Sequence, residues 1–187
     1  MEIWDASSRP IDMAIGFDHS RVGADVARFF HGKGHDRFAV LSARDSRALS
    51  RARGFAEAVR QLGGSLVLEQ TCPAPSTIAA GRAGSRDLLP LLDRRCAVFC
   101  SSDLLAFGLL TEARLHGIAV PDRLAVCGFG NMELSEMNEP PITTVSLEGT
   151  ETGRSAAGLL LRRLSGGGPH EPERVRVPFR IVERATT

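Results

Sequence analysis

Ala97-Val98-Phe99-Cys100-Ser101-Ser102-Asp103-Leu104-Leu105-Ala106-Phe107-Gly108 is the stretch that decides the fold. Four apolar residues in a row are followed by two hydroxyl residues. An apolar-rich segment then runs on to His116. The pattern predicts a strand that passes directly into a helix over residues 103–116, with Ser101 or Ser102 as the N-cap. A strand that is apolar at every position has both faces buried, as in a parallel sheet covered on both sides.

The same unit recurs on either side. Residues 10–17 read as a strand, and residues 20–34 as a helix with Val22, Val26, Phe29 and Phe30 on one face. Residues 38–41 are the next strand. A helix over 47–62 follows, with Ala52, Phe55, Val59 and Leu62 on one stripe and Gly63-Gly64 closing it. A strand at 66–69 and a helix at 76–93 come before the opening stretch. After it, residues 124–129 form a strand and 140–145 an extended segment. The last elements are a helix over 149–164, with Ala157, Leu160, Leu161 and Leu164 inward, and a strand over 175–183. Gly166-Gly167-Gly168-Pro169 ends that helix, and Pro178 implies an edge or a bend in that strand. Such βα alternation predicts an α/β fold: a parallel sheet with helices on both faces. Ligands in such sheets sit beyond the carboxyl ends of the strands. That directs attention to Asp18 and to residues 42–51, 72–77, 101–103, 130 and 131.

Composition bounds the function. The 187 residues carry 23 Lys+Arg against 22 Asp+Glu, a net charge of +1, so the chain lacks the basic excess of a free-standing nucleic-acid binder. Lys33 is the one lysine. No apolar run is long enough to span a bilayer, and Met1-Glu2-Ile3-Trp4-Asp5 lacks the features of a signal peptide, so a cytoplasmic protein is expected, with no membrane partner. Cys72, Cys96, Cys100 and Cys127 form no CxxC pair and read as buried thiols, and the five histidines form no HExxH. There is no GxSxG and no GxxxxGK[ST]. In Gly128-Phe129-Gly130-Asn131 the third glycine of GxGxxG is replaced by Glu133. No catalytic residue, metal or cofactor is expected, and the chain reads as a binding module and not an enzyme.

Three polar pieces at strand ends carry a resemblance. They are Asp18-His19-Ser20-Arg21-Val22-Gly23 with Gly34-His35-Asp36-Arg37, Arg51-Ala52-Arg53-Gly54-Phe55, and Ser101-Ser102-Asp103 leading to Val126-Cys127-Gly128-Phe129-Gly130-Asn131 and Pro140-Pro141-Ile142-Thr143-Thr144-Val145. The ordered set, over essentially the whole chain, resembles the LacI/GalR family of bacterial transcription regulators. Trp4-Asp5 and Cys100-Ser101-Ser102-Asp103 are similar to its gluconate-utilisation members. The resemblance implies a periplasmic-binding-protein-like fold of type I, with an effector between two lobes that the chain crosses near 15–18, 145–147 and 176–178. It implies one complete C-terminal lobe (18–145 and 178–187) and a partial N-terminal lobe (1–17 and 146–177). It also implies that the helix-turn-helix headpiece is missing, so that operator DNA is reached only through that absent part.

On the same resemblance, Arg51 matches the family's effector-contacting arginine. Its rigid fork of donors suits vicinal hydroxyls or a carboxylate. Ser102 falls at a ligand-contacting position. Asp103 follows it, either as a contact or only as a complement to the helix dipole. Gly130 stands where many members have an effector-binding aspartate, and Asn131 can supply polarity instead. Phe17 and Trp4 are the aromatics near the expected cleft, and Asp18 lies at its rim. Phe107 is implied in a homodimer interface, or else packs on its own sheet. The expected effector is a sugar or sugar acid. Two other readings remain open: a periplasmic-type sugar receptor of the same fold, and a doubly wound enzyme.

Overall fold

The structure, a computed structural model, describes residues 1–6, 10–166 and 172–187. In chain order, β1 (Glu2–Ile3) and β2 (Met13–Gly16) precede α1 (His19–Gly32), β3 (Arg37–Ala43), α2 (Ser46–Gln61) and β4 (Ser65–Cys72). Then come α3 (Ile78–Gly84), a single 3₁₀ turn (Leu89–Leu91), β5 (Cys96–Cys100), α4 (Asp103–Leu115), β6 (Leu124–Phe129), α5 (Glu133–Met137) and β7 (Thr143–Leu147). The chain closes with α6 (Gly149–Leu164), β8 (Glu173–Arg176) and β9 (Phe179–Val182).

The strands form two sheets. The larger has the order β4-β3-β5-β6-β7-β9, and the smaller β1-β2-β8. Every pairing is parallel except that of β7 with β9, so the larger sheet carries one antiparallel edge. Alternation along the strands divides its core in two. Phe38, Val40, Ala97, Phe99, Ala125 and Cys127 face α1 and α2, where they meet Val22, Val26, Phe30, Phe55 and Val59. Ala39, Leu41, Val98, Cys100, Leu124 and Val126 face α4, where they meet Leu105, Leu109 and Ala113. Helices cover both faces, which is why these strands are apolar throughout. All four cysteines are free and buried in this core.

Three elements differ from what the sequence predicts. The helix expected over 76–93 breaks into α3 and the 3₁₀ turn. Gly84 packs against Leu41 and Cys72 there, and Pro90 lies inside the turn. The strand expected over 175–183 is two strands in different sheets, with Val177-Pro178 as the bend between them. Helix α6 has the expected bounds but the other face inward: Thr152, Ala156 and Leu159 are buried, and the last two join Met13 and Ile15. Leu160, Leu161 and Leu164 are exposed, and so is Ala157. Gly166 ends α6 at φ +71°, while residues 167–169 of the expected stop lie outside the described residues.

The chain passes between the sheets after β2, after β7 and between β8 and β9. No described helix is long and apolar enough to cross a membrane. Among the described residues, no group of three or more His, Cys, Asp or Glu side chains could hold a metal ion.

Candidate effector cleft

Helix α2 delivers Arg51. Asp45, just beyond β3, caps this helix by accepting from the Ala48 amide at 2.9 Å. Two turns later Arg51 reaches the carboxyl end of the larger sheet with only 6% of its surface exposed. Nη2 donates to the Ser101 carbonyl at 3.0 Å, Nη1 lies 2.8 Å from His19 Nδ1, and Cζ stands 3.9 Å from the centroid of the Phe129 ring. Nε is buried and has no hydrogen-bond partner. Burial pushes the Arg51 pKa down to about 10, with Asp45 opposing and Arg47 adding to the shift, so the guanidinium remains charged at neutral pH.

A cavity of about 250 Å³ opens beside this guanidinium. Trp4, Phe17, Phe129 and Leu147 supply its apolar wall, and His19, Asp45, Arg47 and Arg51 its polar side. The Phe17 and Phe129 ring centroids lie 6.0 Å apart at 49°, and the rings of Phe17 and His19 meet edge to face with centroids 4.6 Å apart. Arg47 donates to the Ile3 carbonyl at 2.9 Å and so links α2 to the smaller sheet. Aromatic faces suit the C–H side of a ring or chain. An arginine with a free N–H suits an oxygen acceptor.

The expected site residues divide into two groups. Arg51 and Phe17 share the cavity. Phe17 is also core, 2% exposed, so packing and lining coincide at this position. Asp18 stands next to them as the N-cap of α1, accepting from the Ser20 amide and hydroxyl and from the Arg21 amide. Burial works to raise its pKa, but those donations and Arg176 carry it below the ordinary value.

Ser102, Asp103 and Asn131 are absent from the cavity wall. Ser102 caps α4, accepting from the Leu104 amide. Asp103 is fully buried: Oδ1 accepts from Thr144 Oγ1 at 2.6 Å and Oδ2 from the Met132 amide at 2.8 Å. Burial raises its pKa, with Thr144 and Met132 opposing. A Cβ on Gly128 would lie 2.2 Å from its Oδ1, so the carboxylate occupies space that only glycine leaves. Asn131, at φ +52°, accepts from Arg184 at 2.8 Å and donates to Ser146. Asp103 and Asn131 form a polar frame between α4, the loop after β6, β7 and the C-terminal segment, while Ser102 acts within α4. Phe107 is half-buried and packs against the core under α4.

Of the other lining residues, Asp45 and Arg47 fall in the strand-end stretch 42–51, while His19, Phe129 and Leu147 lie outside the positions singled out from the sequence. Phe129 had a usable signal, because it lies at the carboxyl end of β6. His19 and Leu147 had none, because the placement of the smaller sheet against α1 and β7 makes them neighbours.

Three kinds of likeness bear on this geometry. Residues 27–187 match the periplasmic binding protein-like domain family. The HTH-type transcriptional repressor CytR of Escherichia coli K12 is 30% identical over 154 residues, covering 81% of this chain and 45% of CytR. The HTH-type transcriptional regulator GntR of the same strain is 31% identical over 170 residues, covering 89% of this chain and 50% of GntR. A crystal structure of a LacI family transcriptional regulator from Silicibacter pomeroyi superposes with a TM-score of 0.89 at 30% identity, covering 99% of this chain and 68% of that one. The chain spans about half the length of the curated relatives it matches. Those relatives are transcription regulators, not enzymes.

Proposed function

The chain belongs to the LacI family of transcriptional regulators, whose periplasmic-binding-protein-like domain it forms, and from that premise we propose that it senses a small polyhydroxy effector, a sugar or sugar acid, in the cleft around Arg51. One observation carries the reading: a buried, charged arginine, with more N–H groups than its two hydrogen bonds use, lines a cavity walled by aromatic rings. A charge-assisted hydrogen bond from the Arg51 guanidinium to a ligand oxygen contributes about 1.5–3 kcal/mol. The aromatic wall supplies apolar contact, and Arg51 supplies orientation.

Within this reading Arg51 and Phe17 touch the effector, while Asp18, Ser102, Asp103 and Asn131 hold the strand ends that frame it. The lobes are 18–145 with 178–187, and 1–17 with 146–177. The chain crossings between the two sheets support this division, although β7 runs on to Leu147 in the larger sheet. The regulator is cytoplasmic and pairs with a second copy of itself through the α4 face that includes Phe107. Operator DNA is contacted by a helix-turn-helix outside these residues.

Titration calorimetry with D-gluconate, D-glucuronate, D-glucose and D-ribose tests the reading. Saturable heat with at least one of them, abolished by filling the cavity through Leu147→Trp, is expected. Absence of saturable binding by all four at millimolar concentration overturns the sugar assignment.

A further inference from the structure

His19 has a place in the cleft that neither its sequence neighbourhood nor the cavity wall explains. The ring is 2% exposed, and both nitrogens are engaged. Nε2 lies 3.0 Å from the Trp4 carbonyl oxygen and Nδ1 lies 2.8 Å from Arg51 Nη1. A carbonyl can only accept, so Nε2 carries the proton. A guanidinium can only donate, so Nδ1 presents its lone pair. The two partners together select one tautomer of a neutral ring.

We propose that His19 is a positioning residue of the cleft: as the neutral Nε2–H tautomer it fixes the Arg51 guanidinium and ties it to the backbone of Trp4. This rests on the reading of Arg51 as an effector contact. Arg51 is held on three sides, by His19 at Nη1, by the Ser101 carbonyl at Nη2 and by the face of Phe129. Those hydrogen bonds use one N–H of each Nη, so the second N–H of each remains for a ligand, while the buried Nε has no partner. Trp4 follows β1, and its amide donates to the Ile15 carbonyl in β2 at 2.8 Å. His19 therefore joins the smaller sheet to the arginine of the larger one. The Phe17 ring packs against it edge to face, with centroids 4.6 Å apart.

Charge around the ring agrees. Burial pushes the His19 pKa down to about 4, Arg51 and Arg47 on α2 add to this, and Asp5 on the segment after β1 opposes it. A second proton would sit on Nδ1 and point at the guanidinium.

Nitrogen-15 NMR of the chain labelled at histidine and arginine tests the proposal without any ligand. The wild type is expected to show His19 with its proton on Nε2 and no titration until well below pH 6, and Arg51→Met to move its midpoint upward. The Arg51 Nη signals are expected to be separate in the wild type, to merge in His19→Leu, and to separate again in His19→Asn, whose amide oxygen falls near the place of Nδ1. A proton on Nδ1, an ordinary midpoint near pH 6.5, or Arg51 signals indifferent to His19→Leu overturns it. If the wild-type tautomer holds but Arg51 variants leave sugar affinity unchanged, the effector reading falls and the positioning of Arg51 stands.

Discussion

A Cβ built on Gly23 would lie 1.9 Å from the carbonyl oxygen of Arg51. Helices α1 and α2 thus meet backbone to backbone, and Gly54 repeats the contact with a Cβ position 2.0 Å from the Ser20 carbonyl oxygen. Neither obstacle is the tip of a flexible side chain, so a methyl group must push the helices apart. Gly23→Ala is expected to cost about 3 kcal/mol in urea unfolding and to weaken effector binding, because α2 carries Arg51. Gly32→Ala is the control: its Cβ meets nothing within 4 Å, and stability is expected to hold or rise slightly. Equal stability of the two variants would contradict this account of the helix contact.

Arg51 gives a second expectation. A charge-assisted hydrogen bond contributes about 1.5–3 kcal/mol, so Arg51→Ala is expected to weaken effector binding by about one to two orders of magnitude. Arg51→Lys is expected to recover little of the loss. A lysine ammonium can replace the charge, but not contacts to His19, Ser101 and the Phe129 ring made from one rigid plane. Calorimetry on the folded variants decides, and wild-type affinity in Arg51→Lys would show that charge alone suffices.

Stability is expected to fall in mild acid. Burial pushes both His19 and His35 down to about 4 from an ordinary 6.5. The neighbouring cations Arg51 and Arg47 deepen the shift at His19, and Arg95 and Lys33 deepen it at His35. Between those two values the unfolded chain binds protons that the folded chain refuses. The contribution is therefore fully present above pH 6.5 and is lost as pH falls toward 4, at about 1.4 kcal/mol per histidine for each pH unit between the two values. Asp103 acts in the opposite sense at the acid end, because burial holds its pKa above the ordinary one. Urea midpoints measured from pH 7.5 to 4.5 should decline through this window, and a flat profile would refute the assignment.

Phe107 on α4 is half-buried within one chain, and the proposed dimer would cover the rest of its ring. Phe107→Glu is expected to lower the dimer fraction in sedimentation velocity, since an unpaired carboxylate cannot be buried cheaply in an apolar contact. A melting curve on the same variant shows whether the monomer is intact. A wild-type chain that stays monomeric at high concentration rules out this interface.

Much of the fold was legible in the sequence by itself. Strands at 38–41, 97–100 and 124–129 are apolar at every position, which only a sheet buried on both faces requires, and Ser102 caps α4 as its hydroxyl and position indicate. Arg51 lay within the strand-end stretch 42–51, but only the family resemblance separated it there from Arg44 and Arg47. Three features were settled only by tertiary structure. Helix α6 packs through Ala156 and Leu159 because Met13 and Ile15 meet it there, although Leu160, Leu161 and Leu164 make its other side more apolar. Asp103 and Asn131 are spent on Thr144, Met132 and Arg184, partners up to 53 residues away in sequence. The wall of the cleft joins Trp4, His19, Arg51 and Leu147, which no periodicity relates. Periodicity reports which face of a segment avoids water, and that depends on nearby residues alone. Which buried group meets which depends on how two sheets and their helices come together, and that is a property of the folded chain.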